Sequence, residues 1–558
     1  MSVLSCLPYG VGHADEGICL QLQIGPYRIL LDCGLITLES LAGDESAPVD
    51  FAFCTHADPD HGRSLLELHH RWPHLPIYCS AATADLLPLN WPDVSLPNGA
   101  EFCQRLPWRH SVELAPGLTA QLWPAGHLPG AACVSITYAT DDQTYSVFYT
   151  GDFFLSNSRL ADGLPLDELR GLKPDALIVE GTQGTARYPH RRQQENRLAD
   201  QLNQVLAAGH NVLLPVPLIG LGQELLMLLR SHHHFTGKDV TVWVDGWVAE
   251  ACDIYLELLP HLPSNVQNFA RHQPLFWDDR ILPRIQRLPQ PLPEEPGHPT
   301  IVIGYQNADL SPLARWGDRP WRIFLPDELA NSVVNAGLDH DDAHYQATLA
   351  WLEHLSDEFE QGQAYLETYL LSTHSDGAGT TQLIHNLRPH HVLFVHGSPN
   401  FLADLASLED LQSRYKLHLP SARQTVELPT SDTFLQPAPP DTVFEGEVAD
   451  TEDDGIILNL PPEIRDDSRW SRLADTGVVQ IRWQGNDLIV RGVSQQSLMR
   501  QANVPATLNA SVQCCFNCIH WQQPRCNNPA SPMHNFPVAA EGYCPEFAFK
   551  TGSQADVG

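Results

Sequence analysis

A chain of 558 residues is far longer than one compact core can use, so two or more folded domains are expected. Hydrophobic residues make up 43% and charged residues 18%, which excludes a disordered chain and describes an ordinary folded protein. The net charge of -34 argues against a surface that grips long polyanions through Lys and Arg, and it leaves any phosphate binding to a local groove or to bound metal cations.

Residues 1–17 have neither a basic start nor a long apolar core, so no signal peptide is expected. Leu20 to Ile24, Tyr27 to Leu31, Phe51 to Cys54 and Ile77 to Ser80 then read as strands, with a helix interleaved at Arg63 to His70. Leu118 to Trp123, Cys133 to Tyr138 and Tyr145 to Tyr149 continue the strand pattern, and Arg191 to Ala208 reads as a long helix. The most apolar long window, Asn211 to Leu229, is broken by Pro215, Pro217, Gln223 and Glu224. It therefore reads as a strand, a turn and a buried helix, not as a membrane span. Strand and helix patterns alternate over Val212 to Leu229 and Val240 to Leu258, which points to a second α/β domain. A soluble, cytoplasmic protein without membrane contact is expected.

Gln436-Pro-Ala-Pro-Pro440 reads as a short stiff linker, because its prolines fix the backbone and lack amide donors. Beyond it, Asp450 to Asp454 reads as a solvated acidic loop. Val478 to Trp483 and Leu488 to Val493 flank a Gly485-Asn486 turn and predict a hairpin. Five of the 13 cysteines crowd the tail. Among them, Cys515, Cys518, Cys526 and Cys544 have one tight pair and two later thiols, a spacing that can close a tetrahedral site for zinc. An iron–sulfur cluster takes the same four thiolates, a disulfide pair is the simpler alternative, and Cys514 and His520 are spare ligands.

The chemistry concentrates in His56-Ala57-Asp58-Pro59-Asp60-His61, where four metal-capable side chains fall within six residues directly after the apolar run Val49 to Cys54. A loop at a strand end with this spacing lets two cations share neighbouring ligands. Further candidates follow other apolar runs: His127 after Trp123-Pro-Ala-Gly, Asp152 after Phe148-Tyr-Thr-Gly, and His396 after Val392-Leu-Phe-Val. Any one of these alone is most simply a core or turn residue; their order makes coincidence hard to sustain.

In that order the chain resembles the metallo-β-lactamase superfamily, and specifically its β-CASP branch of nucleic-acid-processing nucleases. Asp32 in Ile29-Leu-Leu-Asp32-Cys-Gly34 is similar to the first motif, His56 to His61 to the second, His127 to the third and Asp152 to the fourth. Glu180-Gly-Thr-Gln-Gly184, His374 in Ser372-Thr-His374-Ser-Asp376, and His396 resemble the branch's motifs A, B and C. The resemblance implies an α/β fold: an αββα sandwich interrupted by an inserted β-CASP α/β domain, with a small C-terminal β and Cys-rich module. The domains it implies are 1–190, the insertion 191–365, a completing part 366–435, a linker and small β module 436–505, and the tail 506–558.

It also implies two divalent metals, zinc first, with manganese or iron as rivals. His56, Asp58 and His127 would hold one, Asp60, His61 and His396 the other, and Asp152 would bridge them, so that a shared hydroxide attacks a phosphodiester. Three residues receive catalytic parts: Asp60, also a ligand; His374, to protonate the leaving oxygen; and Glu180, to orient that imidazole. Asp32 falls behind the ligands as a support.

The family commonly has His where Asp58 stands, a hydroxyl and an aromatic ring where Gly181 and Gln183 stand, and Arg where Leu221 stands. Asp58 makes the first site harder and more anionic, and Leu221 removes a cation from a phosphate contact. The His at motif C favours RNA as substrate. A ribonuclease is therefore expected, with an RNA-processing partner or a homo-oligomer open. The alternatives are a weakened scaffold or regulatory subunit of an RNA-processing complex, and a hydrolase of a non-nucleic substrate.

Overall fold

The computed structural model describes residues 3–429 except 14–15, 42–45, 97, 279, 298, 328 and 331–342, and beyond them 447–450, 456–459, 479–484, 487–492 and parts of 518–529. The chain divides into two units, Met1–Pro437 and Ala438–Gly558, and the division falls within the proline-rich segment.

In the first unit, β1 (Leu4–Val11), β2 (Ile18–Ile24), β3 (Tyr27–Leu31), β4 (Phe51–Phe53), β5 (Ile77–Cys79) and β6 (Cys103–Arg105) form a sheet in chain order. The second sheet takes β7 (Val112–Ala115), β8 (Leu118–Pro124), β9 (Ala132–Ala139), β10 (Thr144–Tyr149) and β11 (Ala176–Glu180). Alternation drives their pairing: Leu20, Leu22 and Ile24 of one sheet and Ala120, Leu122, Val134 and Ile136 of the other are buried in one shared core. Helices cover the outer faces, which gives the expected αββα sandwich.

The inserted sheet holds β12 (Asn211–Val216), β13 (Thr241–Val244), β14 (Arg284–Arg287), β15 (Thr300–Tyr305), β16 (Trp321–Pro326) and β17 (Ala364–Tyr369), all parallel, in the order β14-β13-β15-β12-β16-β17. β12 is buried at all six positions, as a parallel strand covered on both faces must be. The boundary expected at 365 falls inside β17, so the inserted sheet runs on to Tyr369. The chain then returns to the second sandwich sheet with β18 (His391–Val395), which pairs parallel with β11, and β19 (Lys416–His418); β20 (Val426–Glu427) closes the first sheet against β1.

The hairpin expected in the second unit is present as Val479–Gln484 paired antiparallel with Asp487–Gly492. No described helix is long and apolar enough to cross a membrane.

Candidate metal centre

Each candidate ligand leaves the C-terminal end of a sandwich strand or the turn that follows it. The stretch Thr55 to Asp58 follows β4, and Pro59 starts α1 (Pro59–Gly62) at a position where its missing amide costs nothing, so that Asp58, Asp60 and His61 are wound into one turn. His127 follows β8, Asp152 follows β10, Glu180 ends β11 and His396 follows β18. Two glycines permit the close approach: a Cβ on Gly34 would lie 1.6 Å from the Asp60 carbonyl oxygen, and Gly151, at φ +52°, faces the Thr55 side chain.

The candidate ligand atoms gather in two adjacent groups, His56, Asp58, His127 and Asp152, and Asp60, His61 and His396; within each they lie within 4.8 Å of one another. Asp58 Oδ2 is 2.9 Å from His127 Nε2 and 3.4 Å from His56 Nε2. Asp60 Oδ2 is 2.8 Å from His396 Nε2. Asp152 spans both groups, with Oδ2 3.3 Å from His56 Nε2 and Oδ1 3.3 Å from His61 Nε2.

Hydrogen bonds behind the centre fix the rings. His61 Nδ1 donates to Asp32 Oδ2 at 2.8 Å, and His127 Nδ1 donates to the Thr373 carbonyl at 3.0 Å. Thr55 Oγ1 donates to Asp32, so it accepts from His56 Nδ1 at 2.9 Å. Thr182 Oγ1 donates to Glu180 and accepts from His396 Nδ1 at 2.9 Å. All four imidazoles thus have Nδ1 committed to the protein and turn Nε2 toward the centre. Asp32, itself at φ 60° and fully buried, also accepts from the Thr55 amide and the Tyr149 hydroxyl.

This donor set fits divalent metal. Nε2 of His56, Nε2 of His61 and Oδ1 of Asp152 are buried without a hydrogen bond, a costly arrangement unless a cation takes their lone pairs. Burial and His61 push the His56 imidazole down, yet Asp152 and Asp58 carry it up to about 9. Burial opposes ionisation of Asp58, but His127 and His56 hold its carboxyl below the usual range. A metal would replace the protons on these rings as the partner of the carboxylates.

A third group adjoins them. His374 Nδ1 lies 2.9 Å from Glu180 Oε2 and 3.1 Å from Oε1, and its ring centroid is 4.6 Å from that of His127. Glu180 Oε1 also accepts from the Phe153 amide at 2.7 Å. The loop carrying His374 is held by α2 (Arg191–Ala207): Arg191 donates to the Ser372 carbonyl, and Gln194 accepts from the Ser372 amide at 2.9 Å. Arg191 in turn pairs at 3.3 Å with Glu224 of α3 (Leu221–Ser231). Glu224 also accepts from the Arg159 and Leu160 amides and the Ser158 hydroxyl, and so ties the insertion to the sandwich.

The structure therefore brings His56, Asp58, Asp60, His61, His127, Asp152, His396, Glu180 and His374 together. Thr55, Tyr149, Thr182 and Arg191 escaped sequence reasoning; Thr55, directly before His56, and Thr182, inside the motif that begins at Glu180, carried a signal that could have marked them. Cys518 is a buried free thiol, and Cys526 pairs with Trp521 in a two-strand hairpin, whereas Cys515 and Cys544 lie outside the described residues.

An αββα sandwich with Asp and His side chains converging at its strand ends defines a metal-dependent hydrolase. Residues 27–210 match the beta-lactamase superfamily domain, and residues 363–418 match the Zn-dependent metallo-hydrolase RNA specificity domain. An uncharacterized protein of Synechocystis sp., sll0514, is 47% identical over 98% of this chain and 96% of its own length. Transcription termination factor FttA of Methanothermobacter thermautotrophicus is 25% identical over 74% of this chain and 69% of its own, and an RNase J-like protein of Methanocaldococcus jannaschii is 27% identical over 46% and 61%. The chain belongs to the metallo-β-lactamase superfamily, in its β-CASP RNA-processing branch.

Proposed function

We propose that this protein is a metal-dependent ribonuclease that cleaves RNA phosphodiester bonds. The observation that carries it is the Glu180–His374 pair set against the two ligand groups, beside a segment matching an RNA specificity domain. His56, Asp58 and His127 would hold one cation and Asp60, His61 and His396 the other, with Asp152 common to both. Zinc suits the imidazoles; the extra carboxylate of Asp58 keeps manganese or iron in contention for the first site. When bound, such cations lower the pKa of water and offset the charge that builds on an attacked phosphate.

The chain's own residues supply the rest. Glu180 holds Nδ1 of His374, so the proton given to the leaving oxygen is the one at Nε2. Asp32, Thr55 and Thr182 hold the ligand rings in place. The complete ligand set speaks against a scaffold that has lost its site. An RNA-processing partner or a homo-oligomer is compatible with this role, as is a cytoplasmic location. In the tail, Cys515, Cys518, Cys526 and Cys544 would hold zinc or an iron–sulfur cluster.

The test is metal analysis of the purified protein with cleavage of a labelled single-stranded RNA. Two core equivalents and cleavage are expected, and Asp152→Ala should lose core metal and all cleavage. Unchanged metal content and activity in that variant would remove Asp152 from the centre, and a metal-loaded wild type inert toward RNA would sink the ribonuclease.

A further inference from the structure

Away from the catalytic centre, the turn after α3 carries three consecutive histidines, His232, His233 and His234, with one ligand atom from each within 4.8 Å of the others. Their ring centroids are 4.2 to 5.1 Å apart. In a zinc site with bonds of about 2.0–2.1 Å, ligand nitrogens sit about 3.4 Å apart, so a small inward turn of exposed His233 closes the set. Backbone bonds fold the turn, since the Phe235 and Thr236 amides both donate to the His232 carbonyl at 3.0 Å.

Two of the rings are oriented from outside. His232 Nε2 donates to Asn196 Oδ1 at 3.2 Å, and His234 Nε2 donates to Asp200 Oδ1 at 2.6 Å. Asn196 and Asp200 are four residues apart on α2, hence on one face of that helix. Both bonds leave Nδ1 as the lone-pair nitrogen, and the competitor at His232 Nδ1 is the His234 amide at 3.3 Å, long for a hydrogen bond. A carboxylate on the far nitrogen of a histidine is the arrangement that fixes metal-ligating imidazoles and raises their basicity.

We propose that His232, His233 and His234, oriented by Asn196 and Asp200, bind one divalent transition-metal ion of the zinc class at a site separate from the catalytic centre. Three imidazoles suit zinc, nickel or copper and disfavour magnesium or calcium. Such an ion would fix the turn after α3, whose rings are hydrogen-bonded to α2, the helix that grips the loop bearing His374.

The experiment loads the metal-stripped full-length protein with zinc at micromolar concentration and counts bound equivalents by mass spectrometry, beside His233→Ala/His234→Ala and Asp200→Asn. The double variant should hold one equivalent fewer than wild type while still cleaving RNA. Because His233 is exposed, H233A alone tests the site without endangering the fold. Asp200→Asn should weaken this one site by roughly 10- to 100-fold in a competition titration. Equal stoichiometry in wild type and double variant would overturn the site, as would a difference that emerges only at millimolar zinc.

Discussion

His374 is tied to the centre by a carboxylate, Glu180, that is also held by the Phe153 amide and Thr182. Its ring stands against His127 and falls outside the two groups of His and Asp side chains proposed to hold cations, sharing a third group with Asp152 and Glu180. His374→Ala should therefore lower turnover on RNA by about a hundredfold or more, the usual scale for loss of a general acid, while metal analysis finds the core still loaded. Loss of metal from that variant would make the residue a ligand. The candidate ligands were legible because metal chemistry admits few residue types and the loop sets them at short intervals. The residues behind them were not. Tyr149 ends an apolar strand and looks like any core tyrosine, yet its hydroxyl meets Asp32 across 117 positions of sequence at 2.6 Å. Thr182 sits between Glu180 and His396 only because β11 and β18 are neighbours. A hydroxyl's partner is decided by sheet order, which no local pattern reports.

Among the elements, α3 looked from its composition like a buried apolar helix, and it is one, buried from Leu221 to Arg230. Less visible was that Glu224 on it is the junction between the insertion and the sandwich. Arg191 keeps Glu195 at 3.5 Å, but the Arg159 and Leu160 amides and the Ser158 hydroxyl lose their carboxylate acceptor, so Glu224→Gln should cost about 1–3 kcal/mol in denaturant unfolding. A loss below 1 kcal/mol would mean that the junction is carried by packing alone. β1 was missed in the sequence because Pro8 interrupts it, and its register shifts between Pro8 and Gly10. A pH dependence belongs to β18 and β19. His391 Nε2 donates to the Pro429 carbonyl, so its Nδ1 accepts from His418 Nε2 at 2.9 Å. Burial, with His391 and Lys416 adding to it, pushes His418 down to about 4, and burial also lowers His391. Their folded values lie below the unfolded one near 6.5, so the stability is whole above pH 6.5 and is lost as pH falls toward 4. The melting temperature of His418→Gln should fall less steeply over that window than that of wild type; parallel curves would remove the pair from the acid response.

At the scale of the whole molecule, the proposed ligands of the core all precede residue 400 and the cysteine cluster follows the proline-rich segment. A chain ending at Leu435 should keep its core metals and cleave a generic RNA, and lose only such metal as the proposed cysteine site would hold. Failure of this shorter chain to bind core metal would make the tail part of the catalytic fold. The pairing of β11 with β18 has a consequence for the order of events at synthesis. Glu180 and Val395 are neighbours in register, with about 200 residues of chain between them. At about 5–20 residues per second, roughly 10 to 40 s separate the emergence of Glu180 from that of His396. Through that interval the nascent chain holds the His56 cluster but lacks His396, and for most of it His374 as well. The candidate centre can thus be completed only after the whole insertion has been synthesised.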